Sequence, residues 1–194
     1  MKSFKNVFAI LFVSVILCSC SNSGNGGASV VGTWNMNIDE QMKEVEAKGK
    51  GIILPSSHLE YVFNEDGTGM EQVVMITEQP AEEGVKFKVT ATASNPFRWH
   101  KDGSRLDIKI TDINMGYNWE AICDNPKKRA KWQKEAKRLT DSMNKDINIP
   151  SVKAETLAKV NSEGGYDFEI LELSESKLEL KSAKGDIKKF NKAK

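Results

Sequence analysis

Residues 85–93 read Val85-Lys86-Phe87-Lys88-Val89-Thr90-Ala91-Thr92-Ala93, an unbroken alternation of apolar and polar side chains. Successive side chains of a β-strand point to opposite faces, so this period of two predicts a strand with one buried and one solvated face. Such strands are typical of antiparallel sheets that pack a single face on a core. The stretch therefore indicates a mainly β fold.

The same period extends in both directions from this strand. Tight turns at Asp66-Gly67 and Asp102-Gly103 predict two hairpins on either side of it. Strands are predicted at about 30–36, 59–63, 70–77, 85–93, 97–100, 106–110, 166–170, 178–180 and 187–190. Eight or nine short antiparallel strands can avoid exposed edges by closing into an up-and-down barrel, and a sandwich is the competing closure.

An insert at about 113–162 interrupts the strands between the sixth and the seventh. Asn125 followed by Pro126 predicts a helix start, and an apolar stripe predicts a helix over 126–145. A second, shorter helix is predicted over 152–160. Another short helix is predicted at 38–48, where apolar residues recur at helical spacing.

The N-terminus has the pattern of a lipoprotein leader. Lys2 and Lys5 precede an apolar run over 7–17, which has the length of a signal-peptide core and is too short to span a bilayer. Leu17-Cys18-Ser19-Cys20 then resembles the lipobox of bacterial lipoproteins, which implies cleavage after Ser19 and lipid on Cys20. An ordinary secreted protein is the alternative. Residues 20–29 predict a flexible tether, and the absence of acidic residues there favours an outer membrane facing the periplasm.

Composition restricts the class of the mature protein. The chain has 28 basic and 27 acidic residues, and removal of the two leader lysines leaves 26 against 27. This balance argues against a nucleic-acid partner. The length after the tether, 30–194, fits one domain. With Cys20 acylated and Cys18 removed, Cys123 has no cysteine to pair with, so the fold must rest on its core.

Four motifs in order resemble the small lipocalin-like domains of bacterial lipoproteins. They are Gly32-Thr33-Trp34, the stretch 63–68, the stretch 99–108, and 166–170 continuing to Leu178-Glu179-Leu180. The resemblance covers the strand regions and not the insert. It implies a barrel whose end is closed by Trp34 and an interior that takes an apolar ligand, and it implies no reaction.

A ligand site inside the barrel is the first functional hypothesis. Small-molecule sites are concave and mostly apolar, and two alanines at one end of the central strand leave space there. The residues expected to line it are Tyr61, Phe87, Val89, Ala91, Ala93, Trp99 and Ile108. The alternative is a barrel filled by its own side chains, which is common for eight strands.

The helix at 126–145 is the second candidate site because it is strongly basic. Seven cations stand against Glu135 alone within twelve residues: Lys127, Lys128, Arg129, Lys131, Lys134, Lys137 and Arg138. On a lipid-anchored protein this helix could dock a partner protein or lie on anionic headgroups, with Trp132 on its apolar stripe. The alternative is a solvated basic face with Trp132 packed on the barrel.

Catalytic patterns are weak in this sequence. His58 and His100 are the two histidines, and no metal-ligand spacing, nucleophile motif or phosphate loop appears. Cys123 fits a buried small residue better than a nucleophile. We therefore expect no cofactor and no enzyme, but a lipid-anchored binding protein with a small hydrophobic or amphipathic ligand, or an interaction module that uses the basic helix.

Overall fold

The computed structural model describes residues 28–36, 57–162 and 166–193. Its strands are β1 Gly32–Met36, β2 His58–Phe63, β3 Thr68–Glu82, β4 Val85–Asp102, β5 Arg105–Ile110, β6 Asn114–Cys123, β7 Asp167–Leu173, β8 Lys177–Ser182 and β9 Ile187–Lys192. Its helices are α1 Pro126–Ile147 and α2 Pro150–Ser162. The leader, Cys20, most of the tether and the helix predicted at 38–48 lie outside the described residues.

Eight of the strands close into an antiparallel barrel, as the sequence predicted. The strands follow one another in the order β1, β2, β3, β4, β5, β7, β8 and β9, and β9 pairs with β1 to complete the ring. In the pairing of β1 with β9, Trp34 lies opposite Lys192. Every barrel strand therefore has a partner on both sides, which removes the exposed edges of an open sheet.

Strand β4 is longer than the barrel is tall. It pairs with β5 from Phe97 to Asp102 and with β6 from Val85 to Ser94. The two strands predicted at 85–93 and 97–100 are thus one continuous strand. Its first half leaves the barrel together with the end of β3 and with β6, and we call this three-stranded extension, residues 75–94 and 114–123, the wing.

Strand β6 was not predicted, because its residues were assigned to the helical insert. Its alternation is partial: Tyr117, Trp119 and Cys123 are buried, but Gly116 and exposed Ile122 blur the pattern. The strand is formed by ten register pairs with β4 that the local sequence does not reveal. The helices keep their predicted place between the sixth and seventh strands.

The barrel interior is packed with large side chains. Trp34, Tyr61, Phe63, Phe97, Phe168, Leu106, Ile110, Leu178 and Leu180 are each 1% exposed or less. The rings contact one another, with centroids of Phe63 and Phe97 5.3 Å apart and those of Tyr61 and Phe190 5.2 Å apart. Contacts of this kind add to the burial of apolar area, so the described interior is a core built on aromatic contacts.

Helix α1 covers one face of the wing and forms a second core there. Ala136 is buried against the sheet, and Trp132, Leu139, Met143 and Ile147 pack around it. The helix begins as predicted, since the side chain of Asn125 accepts a hydrogen bond from the Lys127 N–H.

This second core corrects the predicted barrel lining. Phe87, Val89 and Ala91 pack under α1 and not in the barrel interior. Their face of β4 is the buried one, as expected, but they belong to the half of the strand that has left the barrel.

Candidate functional site

Trp34 is fully buried in the barrel core, close to the point where the N-terminal segment enters the barrel. Its indole N–H donates to the Val30 carbonyl at 2.7 Å, and the Lys192 ammonium lies 5.2 Å from the ring centroid. Gly32 has a φ of +127°, and a Cβ there would approach Lys192 Cε to 2.8 Å. The glycine before the tryptophan therefore lets the lysine reach the ring.

A polar cluster lies inside the barrel around Glu71, which is only 5% exposed. The Tyr61 hydroxyl donates to Glu71 at 2.9 Å, the Asn95 amide donates at 2.8 Å, and the Tyr166 hydroxyl lies 3.0 Å from each carboxylate oxygen. Tyr61, Glu71 and Asn95 are opposite one another in the register of β2, β3 and β4. One carboxylate thus joins three adjacent strands to the start of β7.

Lys188 of β9 completes this cluster. Its ammonium donates to the Tyr61 hydroxyl at 3.2 Å and lies 5.6, 5.5 and 5.2 Å from the ring centroids of Tyr61, Tyr166 and Phe168. Aromatic faces attract a cation, and Glu71 supplies the opposite charge. We call Tyr61, Glu71, Asn95, Tyr166 and Lys188 the Glu71 cluster.

Burial changes the acidities within the Glu71 cluster. Desolvation, with the nearby Glu71 charge, raises the pKa of Tyr61 and of Tyr166 well above the usual value. Desolvation lowers the pKa of Lys188, although Glu71 and Asp186 oppose that change. Both tyrosines therefore remain neutral donors at physiological pH, which suits a hydrogen-bonded clamp between strands.

One atom of the cluster remains unsatisfied. The side-chain oxygen of Asn95 is buried and has no hydrogen-bond partner, and of the three N–H groups of Lys188 one has an acceptor among the described residues. A buried polar atom without a partner is unusual and marks a place for water or a polar guest.

Sequence reasoning identified Tyr61 and missed the other members of the cluster. The signal was present in the alternation: Glu71 shares the inward face of β3 with Met75, and Lys188 shares that of β9 with Phe190. A charge at an inward position needs a partner. The partner lies on a distant strand, so the pattern alone could not name it.

The predicted ligand-lining residues do not form one site. Tyr61 and Ile108 are in the barrel core, Trp99 packs at its margin, and Ala93 is buried where the wing meets the barrel. A concave region of about 460 Å³ lies between β6 and α1 and is open to solvent. Another, of about 370 Å³ and also open to solvent, is lined by Arg98, His100 and Asn161 together with two of the predicted residues, Trp99 and Ile108.

The seven predicted cations of α1 are all exposed. Lys128 contacts Glu82 at 3.1 Å, Lys137 contacts Asp141 at 3.4 Å, and Arg138 donates to Glu135 at 2.8 Å. No described acidic side chain lies within 4.0 Å of Lys127, Lys131 or Lys134. The basic character of the helix is thus only partly neutralised.

Trp132 faces the wing and not the solvent-facing side of α1. Its indole N–H donates to Glu82 at 3.2 Å, and its ring meets the Phe87 ring edge-on at a centroid distance of 5.6 Å. The hydrogen bond from Lys128, followed by that from Trp132, lowers the pKa of Glu82. The tryptophan therefore helps to pack α1. It packs on the wing, whereas the sequence had suggested packing on the barrel.

No protein-family model, curated protein or solved structure matches the chain. Its fold and its sites are therefore interpreted from its own residues.

The remaining candidates for chemistry are isolated from one another. His58 and His100 are exposed, and the thiol of buried Cys123 donates to the Asn125 carbonyl at 3.2 Å. Across residues 28–36, 57–162 and 166–193, no three histidine, cysteine or acidic side chains are close enough to hold a metal ion. Within the same ranges, neither helix combines the length and apolar character needed to cross a bilayer.

Proposed function

We propose that this chain is a non-catalytic, lipid-anchored envelope protein that docks a partner through the basic face of α1. The observation that carries the proposal is the division of α1 into two faces. Its apolar face packs on the wing, whereas all seven cations are exposed and four of them, Lys127, Arg129, Lys131 and Lys134, have no described acidic side chain within 4.0 Å. A solvated patch of one charge sign attracts a partner of the opposite sign.

Carbodiimide crosslinking in intact host cells tests this function. The reagent joins a lysine amine to a carboxylate in direct contact with it, so crosslinks from the native protein should map to Lys131 and Lys134. They should weaken strongly in the Lys127→Glu/Arg138→Glu variant, which keeps both reactive amines but reverses two other charges of the same helix face. Crosslinks that avoid α1, or that persist unchanged in the variant, would contradict a docking role for this helix.

The lipid anchor and the envelope location are parts of the same proposal, and they rest on the lipobox resemblance around Cys20. The expected result is incorporation of labelled palmitate into the native chain and none into Cys20→Ser, which should also leave the membrane fraction. Labelling that survives the substitution would place the lipid elsewhere. The same fractionation, with separated inner and outer membranes, tests the predicted outer-membrane location.

Binding of a small amphipathic ligand within the barrel is the second candidate function. It is supported by the Glu71 cluster, whose unsatisfied Asn95 oxygen and spare Lys188 N–H groups could receive a polar head group. This function is the second candidate because aromatic side chains are packed densely around the cluster and occupy the space that a ligand would need. Native mass spectrometry of the protein purified from its host should show a bound small molecule. An empty protein that also gains no mass with a lipid panel would argue against a carrier.

A further inference from the structure

The exposed cations of α1 form an ordered row. Lys127, Lys131, Lys134 and Arg138 are separated by four, three and four residues. At 100° per residue they fall within about 60° of one another around the helix, and successive charges are about 5–6 Å apart along the axis. We call these four side chains the basic row.

The basic row points away from the wing. Trp132, Ala136, Leu139 and Met143 occupy the opposite side of the helix, where they contact the wing core. Helices that lie on membranes bury an apolar face among the lipids. Because α1 has already used its apolar face, it has only charge to offer to a membrane.

The helix start adds positive potential at one end of this row. The first turn of α1 contains no acidic residue, and the N-terminus of a helix carries a partial positive charge of its own. The cations there are held against the preference of the helix dipole. A carboxylate from outside would relieve that repulsion.

The position of the row relative to the N-terminus also matters. Val30 is buried at the barrel end beside Trp34, so the chain enters the barrel there. Gly32, Phe63, Gly69 and Phe97 are at one level of the register. Val85 is at the far end of β4, next to Cys123 and the start of α1. Twelve strand residues separate the two levels, a path of about 40 Å along β4 at 3.3 Å per residue. Because barrel strands tilt by about 35–45°, this path corresponds to about 30 Å along the barrel axis.

Lipid on Cys20, as proposed above, would place the anchor within a short length of chain from the end of the barrel that Val30 enters. The eight Cα–Cα steps from Cys20 to Ala28 can span about 28 Å at most. With this end of the barrel toward the membrane, the basic row lies on the distal side of the domain.

From these observations we infer that the partner of the basic row is a protein that presents a row of carboxylates, as on one face of an acidic helix, and not the anchoring lipid surface. This inference rests on the docking function proposed above. Glutamates spaced by four, three and four residues on a helix would face the four cations of the row, of which Arg138 already donates to Glu135 and the three lysines have no ion-pair partner among the described residues.

The test uses the full chain in a neutral detergent and two labelled alanine-based helical peptides. Each peptide carries four glutamates, at the matching spacing in one and distributed around the helix in the other. Vesicles of phosphatidylglycerol and phosphatidylcholine form the third arm. We expect the matched peptide to bind about tenfold more tightly than the distributed one, a difference of about 1.4 kcal/mol. Added salt should weaken its binding.

Two triple variants distinguish the effect of the basic row from the effect of the net charge of the protein. Lys127→Glu/Lys131→Glu/Lys134→Glu should lose the preference for the matched peptide, and new acids near the helix start suit its dipole, so folding should persist. The control is Lys101→Glu/Lys109→Glu/Lys177→Glu, which changes the charge equally at exposed barrel positions and should keep the preference. Circular dichroism verifies the fold of both variants.

Equal binding of the two peptides, or stronger binding to the anionic vesicles than to the matched peptide, would overturn the inference. If crosslinks to Lys131 and Lys134 are still found in cells, the partner class alone is wrong. If those crosslinks are also absent, the docking function fails with it.

Discussion

At the scale of single residues, Glu71 is the group with the largest consequences. Its carboxylate accepts hydrogen bonds from Tyr61, Asn95 and Tyr166, and it interacts electrostatically with the Lys188 ammonium. Burying a carboxylate is costly, and these four partners offset that cost. The group therefore links strands that are far apart in sequence.

Replacement of Glu71 tests this role. Glu71→Leu would leave three donors without their acceptor and the Lys188 ammonium without a nearby opposite charge, so the free energy of unfolding should fall by about 3–5 kcal/mol. Glu71→Gln keeps one acceptor and should lose less. Urea unfolding measures both. Glu169→Leu removes a β7 carboxylate that is 58% exposed, and its change should stay within about 0.5 kcal/mol. Equal losses at the two positions would contradict the clamp.

Tyrosine ionisation gives a second test at this scale. The chain has three tyrosines, and desolvation raises the pKa of Tyr61, Tyr117 and Tyr166 alike. We expect little rise of absorbance at 295 nm near pH 10 in the native protein and a full rise in concentrated urea. A native titration that matches the unfolded one would show that the tyrosines are exposed.

The same pKa shifts set the sign of a stability change. Above about pH 10 the unfolded chain loses tyrosine protons that the native protein keeps, so it binds fewer protons than the native state. The tyrosine contribution to stability is therefore complete below that pH and decreases as the pH rises further. Tyr61→Phe should make this decrease shallower in urea titrations.

At the scale of elements, α1 acts as a substitute for a neighbouring strand. Asn144 accepts from the Tyr117 N–H at 2.8 Å and donates to its carbonyl at 2.9 Å, and Thr140 accepts from the Trp119 N–H at 2.9 Å. On α2, Asn161 pairs in the same way with both backbone groups of Ile110, at 3.0 Å. Covering an edge in this way protects it from pairing with another chain.

Removal of one such side chain should expose the edge. In Asn144→Leu the backbone groups of Tyr117 lose both partners, at a cost of about 1–3 kcal/mol. Amide hydrogen exchange at Tyr117 should accelerate, while exchange at Leu180 in β8 should not. The control, Asn118→Leu, changes an exposed side chain of the same strand. If both variants accelerate exchange equally, the helix does not protect the edge through Asn144.

At the scale of the whole molecule, the protein has two cores. One fills the barrel, and the other lies between the wing and α1. They share the continuous strands β3 and β4, which run from one core into the other. Separate clusters of this kind open in separate cooperative units when their mutual contacts are few.

Ala91→Leu tests this division. In the structure the added atoms would press on α1 and not fill a barrel cavity, so overpacking should cost about 1–3 kcal/mol. Exchange of the α1 amides should accelerate, whereas exchange in β7 and β8 should stay unchanged. Thr92→Leu, on the exposed face of the same strand, is the matched control. Loss of protection in both cores together would show that they unfold as one unit.

Local sequence patterns predicted the elements whose own residues show a clear hydrophobic periodicity, a turn motif or a helix cap. The hairpin through Asp66-Gly67, the helix begun by Asn125-Pro126 and the inward position of Trp34 were all readable in this way. Strand β6 was not, because its pattern is interrupted and its ladder with β4 forms between residues about twenty to forty positions apart.

The sequence by itself determined a mainly β chain, the positions of most strands, the two helices of the insert and the concentration of cations at 127–138. The tertiary structure alone decided where β4 leaves the barrel, that Phe87, Val89 and Ala91 lie under α1, and that Glu71 is hydrogen-bonded to Tyr61, Asn95 and Tyr166. The physical reason is the distance along the chain over which each interaction acts. Alternation and capping depend on neighbouring residues, whereas strand register and the partners of buried charges depend on contacts between distant parts of the chain.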